Sequence, residues 1–164
     1  MTIAIITAAL IIVAFAAWIA LSKYSHSGKA QKQSQEFLAK NQQNPQVHTT
    51  GSGLQYLVLK PAKPRDQFML PQTDSTICIR CHGTLLDGTP IENTAYNPKS
   101  PTEHLLTFTL RDMLPGLAEG IALMQIGEEA RFFIPSELAY GEHREGNIPP
   151  HSMLILDVKL VDFY

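Results

Sequence analysis

The stretch ARFFIPSELAYGEHREGNIPPHSMLILDVKL, Ala130 to Leu160, decides the fold of this chain. At its start Ala130, Phe132 and Ile134 fall on alternate positions. At its end Leu154, Leu156, Val158 and Leu160 do the same, opposite Asp157 and Lys159. Side chains alternate between the two faces of a strand, so each end predicts a strand with one apolar and one polar face. Strands of that kind belong to an antiparallel sheet with one wet face. Between them, residues 142–150 form a loop rich in Gly, Pro and Asn, and long loops inside a compact domain are usually binding features.

The same pattern recurs upstream. In TICIRCH, Thr76 to His82, Ile77, Ile79 and Cys81 share one face and Thr76, Cys78, Arg80 and His82 the other. Leu54 to Leu59 (LQYLVL) is a short apolar strand following Gly51-Ser52-Gly53, so the domain begins near residue 50. Pro115 suits the first turn of a helix, with Leu117, Ile121 and Met124 at i, i+4 and i+7 and Gly127 available as a left-handed C-terminal cap. A second long loop runs from 93 to 103. The fold class is α+β, an antiparallel sheet with one short amphipathic helix on its apolar face.

A chain of 164 residues, 45% hydrophobic and 17% charged, has room for one domain of ordinary size plus a smaller attachment. The attachment is N-terminal. Ile3 to Leu21 carries no charge and is about as long as a membrane-spanning helix needs to be. Residues 1–22 are therefore expected to form a single-pass transmembrane anchor in the inner membrane, the competing reading being a removable signal cleaved around Ala20-Leu21-Ser22. No Lys or Arg precedes the run, whereas Lys23, Lys29, Lys32 and Lys40 follow it, which favours a cytoplasmic C-terminal domain. Residues 23–49 read as a polar linker, in part helical: from Ser25 to Asn44 only Phe37 and Leu38 are large and apolar, too few for a core. The expected division is 1–22, 23–49 and 50–164.

A net charge of -2 without a basic run excludes the electrostatic footprint that nucleic-acid binding requires. Cys78 and Cys81 are the only cysteines. With Ile79, Arg80 and His82 they match the C-x-x-C-H pattern of covalent haem attachment. Strand alternation, however, sends the two thiols to opposite faces, which disfavours haem and a disulfide, and a zinc site would need more ligands than these cysteines and His82 supply. Cys81 reads instead as a small apolar side chain. His104, His143 and His151 are scattered over loops with no positioned partner for acid-base work, and no cofactor is expected.

The segment Phe133-Ile134-Pro135-Ser136-Glu137-Leu138-Ala139-Tyr140-Gly141, followed by Ile148-Pro149-Pro150-His151-Ser152 and Asp157-Val158, resembles the signature of FKBP-type prolyl isomerases. Gly53-Leu54-Gln55-Tyr56, the run Gly83 to Pro90, and Met113-Leu114-Pro115-Gly116-Leu117 agree in the same order, so the resemblance covers about residues 50–164. It implies a half-open antiparallel sheet wrapped around one short helix, with a shallow apolar pocket for a proline ring. By position, Met113, Leu114 and Leu117 form the floor and side, Phe108 and Leu156 another wall, and Cys81 and Ile91 further lining. Tyr140, Glu92 and Ile148 are the implied catalytic positions, the Tyr140 hydroxyl donating to a peptide carbonyl and the Ile148 amide serving as a second anchor. The implied partners are proline-containing polypeptides, and macrolide inhibitors are an implied ligand class.

This chain departs from the family pattern at Cys81, Ile91, Leu117 and Leu156, where an aromatic residue is usual, and at Glu92, where aspartate is usual. Rotation about an X-Pro amide faces a barrier of about 18–20 kcal/mol from lost resonance. An apolar pocket lowers it by binding the twisted, less solvated amide better than the planar one. Losing one or two ring contacts of order 1–3 kcal/mol in the transition state would make the activity modest. The alternative is a non-catalytic proline-binding or chaperone module with the same fold. On topology, resemblance to secreted and periplasmic members pulls against the lysine distribution.

Overall fold

The computed structural model describes residues 28–63, 69–91 and 105–164. The expected anchor over 1–22, together with Glu92 and His104, lies outside them. Among the described residues no helix is long and apolar enough to cross a membrane.

Helix α1 (28–41) leads into β1 (His48–Thr49), β2 (Gln55–Lys60), β3 (Thr76–Leu85) and β4 (Leu106–Thr109). Helix α2 (Pro115–Ala122), β5 (Glu129–Ile134) and β6 (Leu154–Phe163) complete the domain, with single 3-10 turns at Leu110–Asp112 and Ser136–Leu138. All the strands pair antiparallel in one six-stranded sheet of order β1-β2-β5-β6-β3-β4. The chain thus folds as an α+β domain in which the sheet wraps around α2.

The two longest strands, β3 and β6, are neighbours at the centre, and their burial follows the alternation in the sequence. Ile77, Ile79, Cys81 and Leu85 of β3 and Leu154, Leu156, Val158 and Leu160 of β6 are all buried on the face toward α2. Register sorts the facing pairs of β5 and β6 by face, with Phe133 and Ile155 as the one apolar pair on the outer side. Ala130 faces Val158, Phe132 faces Leu156 and Ile134 faces Leu154 on the inner side. On the outer side Arg131 faces Asp157, with Nε and Nη2 donating at 2.6 and 2.7 Å, and Glu129 faces Lys159 at 3.0 Å. The inner pairs supply the larger share of stability, since a fully buried Phe or Leu contributes about 1.5–3 kcal/mol and a half-exposed ion pair about 0–1.

Helix α2 approaches the sheet closely because its inner face carries Gly116 and Gly120, one turn apart. A methyl group at Gly120 would stand 2.5 Å from the Phe132 ring, and one at Gly116 2.5 Å from the Ile134 side chain. The helix stops at Ala122, where Leu123 in the right-handed region donates to the carbonyls of Gly120 and Ile121. Gly127 therefore does not cap it, contrary to the sequence reading. Its positive φ of 89° serves the turn before β5, where its N–H donates to Leu160 O at 2.7 Å.

Residues 28–49 do more than connect. Phe37 of α1 packs on Phe133, with ring centroids 5.6 Å apart. Gln55, buried in β2, donates from Nε2 to Leu38 O at 2.9 Å and accepts from Asn41 Nδ2 at 2.9 Å. Leu38 O also accepts from the Gln42 N–H at 3.1 Å, so Gln55 adds a second donor there and ties the C-terminal end of α1 to the outer face of the sheet. Phe133, which points away from α2, is buried by this contact.

Candidate functional site

The end of α2 that faces the loops, the 3-10 turn before it, β4, and the 139–153 loop enclose a cavity of about 280 Å³. Ile79, Cys81, Leu154 and Leu156 form its sheet side, and Met113, Leu114 and Leu117 its helix side. Ile91, Leu106 and Phe108 close one flank, Tyr140 and Ile148 another, and Asp112 stands among them as a charged lining residue. Each of the ten sequence-derived positions other than Glu92 lies on this one cavity.

The local sequence explains how the walls are held. Pro115 starts α2 at a position where its missing N–H costs nothing. Leu114 is the residue before it, in extended geometry at φ -53° and ψ 138°. The Leu114 N–H makes no hydrogen bond among the described residues. Tyr140 is fixed by the turn after β5: Ala139 and Gly141 both donate to Ser136 O, at 3.0 and 2.8 Å. His151, at a positive φ of 58°, donates from its amide to Gly141 O at 2.7 Å and closes the base of the loop. A non-glycine residue in that region carries backbone strain and persists only where its surroundings hold it.

One implied role is corrected. The Ile148 N–H donates to Glu145 O at 2.7 Å, and Glu145 N–H donates back to Ile148 O at 3.1 Å across a two-residue turn with Gly146 at φ 52°. That amide is already committed, so Ile148 meets the cavity through its buried side chain. The Leu114 N–H, by contrast, has no hydrogen bond among the described residues.

Two groups are electrostatically set. Burial and the nearby Glu145 carboxylate both raise the Tyr140 pKa above its ordinary 10.0, so the phenol is a proton donor across the neutral range. Burial, assisted by Asp157, pushes the Cys81 thiol up to about 12, which keeps it protonated and apolar in character. Cys78 lies on the other face, its Sγ 3.8 Å from Thr107 Oγ1. Strand alternation thus separates the two thiols as expected. Among the described residues no group of three His, Cys, Asp or Glu side chains is placed to hold a metal ion.

The sequence reading missed Leu106 and Asp112 as lining residues. Ile79 and Leu154 had been placed on the apolar face, and the alternation itself was the available signal for them.

The family described as FKBP-type peptidyl-prolyl cis-trans isomerase matches residues 69–161, and one described as the domain amino terminal to FKBP-type peptidyl-prolyl isomerase matches residues 8–58. The chain is 39% identical over 136 residues to the FKBP-type peptidyl-prolyl cis-trans isomerase FkpA of Aeromonas hydrophila, covering 80% of this chain and 46% of that protein. It is 31% identical over 126 residues to the outer membrane protein MIP of Legionella longbeachae, covering 76% of this chain and 50% of that protein. The chain spans half or less of the length of these relatives. The crystal structure of FkpA from Escherichia coli superposes with a TM-score of 0.78 at 28% identity, covering 93% of this chain and 69% of that one. The match over the sheet, the helix and the loops that build the cavity places this chain in the FKBP-type peptidyl-prolyl cis-trans isomerase family.

Proposed function

We propose that this chain is a peptidyl-prolyl cis-trans isomerase that accelerates rotation about X-Pro bonds in protein substrates, with the 280 Å³ cavity as its active site. The observation that carries this reading is an apolar cavity whose lining residues include donors with no partner among the described residues, the Tyr140 hydroxyl and the Leu114 amide. The proline ring sits against Cys81, Leu117 and Leu156. The donors hold the flanking peptide carbonyls, and water is kept from the prolyl amide. The planar amide, whose carbonyl is the more strongly solvated, loses more on entering this site than the twisted one. Each tenfold acceleration asks for about 1.4 kcal/mol of that difference. Glu92, beside the lining residue Ile91 in sequence, completes the set by resemblance.

The uncharged run from Ile3 to Leu21 supports a membrane-anchored protein whose domain 50–164 works beside the inner membrane, with 23–49 as its connection. The lysines after the run favour the cytoplasmic side. A reporter fused after Tyr164 and active only in the periplasm would refute that orientation. Macrolide inhibitors are ligands to try at the same cavity.

An aliphatic lining at Cys81, Ile91, Leu117 and Leu156 favours, as a second reading, a module that binds proline segments without turnover. A prolyl isomerisation assay on the full chain and on Leu117→Trp separates them. Catalysed exchange that holds or rises in Leu117→Trp supports the enzyme. Peptide binding with no acceleration in either protein supports the module.

A further inference from the structure

We infer that the cavity selects proline segments carrying a lysine or arginine next to the proline, and that Asp112 is the specificity-determining residue. This rests on the isomerase reading above but concerns which substrate the same site takes.

One carboxylate lines the cavity, and a second stands on the loop that carries Tyr140 and Ile148. Asp112 ends the 3-10 turn before α2 and is itself a lining residue. It is exposed and has no ion pair or hydrogen bond among the described residues. Glu145 stands on the loop opposite, directly paired through its backbone with the lining residue Ile148. After burial, its carboxylate is the second cause that raises the pKa of the lining residue Tyr140. Among the described residues, the neighbouring guanidinium groups are engaged elsewhere. Arg111, the neighbour of Asp112, is held by Asp74 at 2.6 Å. Arg144 donates to the carbonyl of Gly146 within its own loop at 3.4 Å. No Lys or Arg lines the cavity among the described residues.

A proline seated against Cys81 and Leu117 brings the side chains of its neighbours to the cavity mouth, within reach of Asp112. A cation there meets an unpaired carboxylate beside low-dielectric walls that focus its field, and an anion meets repulsion. Such rim charges act mainly on encounter and are weakened by salt. A preference of about tenfold in kcat/KM for Lys over Glu before proline is of the size that one or two partly exposed charges supply.

The test is a series of peptides Ala-X-Pro-Phe with X as Lys, Leu or Glu, measured on the full chain for both isomerisation and equilibrium binding. The expected order is Lys, Leu, Glu in kcat/KM and in affinity, with the spread carried by KM, shrinking in about 1 M salt. In Asp112→Asn the Lys-to-Glu ratio falls several-fold, whatever happens to the Leu peptide, and Asp112→Glu restores it. Equal values across the series, with isomerisation intact, overturn the selectivity and leave the enzyme standing. If no peptide is turned over, the isomerase reading fails, and the binding series alone decides: Lys tighter than Glu upholds charge selection, and equal binding overturns it.

Discussion

Gly120→Ala sets two helix effects against each other, and the structure says which wins. In an exposed helix interior, alanine for glycine stabilises by about 1 kcal/mol. Here the new methyl would lie 2.5, 2.8 and 2.8 Å from three carbons of the Phe132 ring, where ordinary contact begins at 3.4 Å. The helix or the ring must shift by several tenths of an ångström, and Phe132 is fully buried between β2 and β6 neighbours, so the shift disturbs the core. Overpacking of this kind costs about 1–3 kcal/mol. The expected result is a net loss of about 1–2 kcal/mol, read as a lower urea midpoint at unchanged m. Leu117 lies less than one turn away on the cavity wall, so kcat/KM should fall with it. Phe132→Leu is expected to absorb most of the clash, giving a favourable coupling in the double-mutant cycle. A Gly120→Ala protein more stable by about 1 kcal/mol would refute the close helix-sheet contact.

Leu114→Pro suits the observed φ of -53° and removes the backbone donor, whereas Leu114→Ala removes only the side chain. Turnover should be two- to tenfold lower in Leu114→Pro than in Leu114→Ala, about the contribution of one hydrogen bond, and equal values would remove the Leu114 amide from the site. Iodoacetamide at pH 8 should modify Cys78 well before the buried Cys81, whose thiol is held up to about 12; peptide mapping showing the reverse order would contradict the strand's facing. Glu129 is depressed below its ordinary 4.5, chiefly by its hydrogen bond with Lys159, so its contribution to stability is present above that value and lost as pH falls through the lower, folded pKa. Denaturation from pH 7 to 3 should therefore show Glu129→Gln less stable at pH 7 and converging with wild type at pH 3; a constant gap would deny the linkage. Phe37→Ala, by uncovering half-buried ring contact with Phe133, should cost about 1–2 kcal/mol, and no change in urea midpoint would mean that α1 does not dock.

Strands β3, β5 and β6 were legible because each is long enough for its alternation to be unmistakable and because one face of each is buried in a single core. The pocket positions were legible through the family resemblance, whose motifs run in order along the chain, and not from strand alternation alone. β4 was not, since in Leu106 to Thr109 both Thr107 and Phe108 are exposed and the strand is held by β3 alone. The docking of α1 was invisible for another reason: Phe37 and Phe133 are far apart in sequence, and a polar helix with two apolar side chains looks self-sufficient in water. Asp112 was passed over because an exposed aspartate in a short turn resembles any solvated residue. The commitment of the Ile148 amide had a signal, the Gly146-Asn147 pair flanked by Glu145 and Ile148, which is a two-residue hairpin sequence.

The most direct test of the central claim is the isomerisation rate of one X-Pro peptide with the full wild-type chain and with Tyr140→Phe, alongside its binding to both. The account expects catalysed exchange by wild type and a kcat/KM lower by about two- to tenfold in Tyr140→Phe, with binding changed less than turnover. Wild-type exchange no faster than the uncatalysed peptide, or turnover identical in the two proteins, would contradict it.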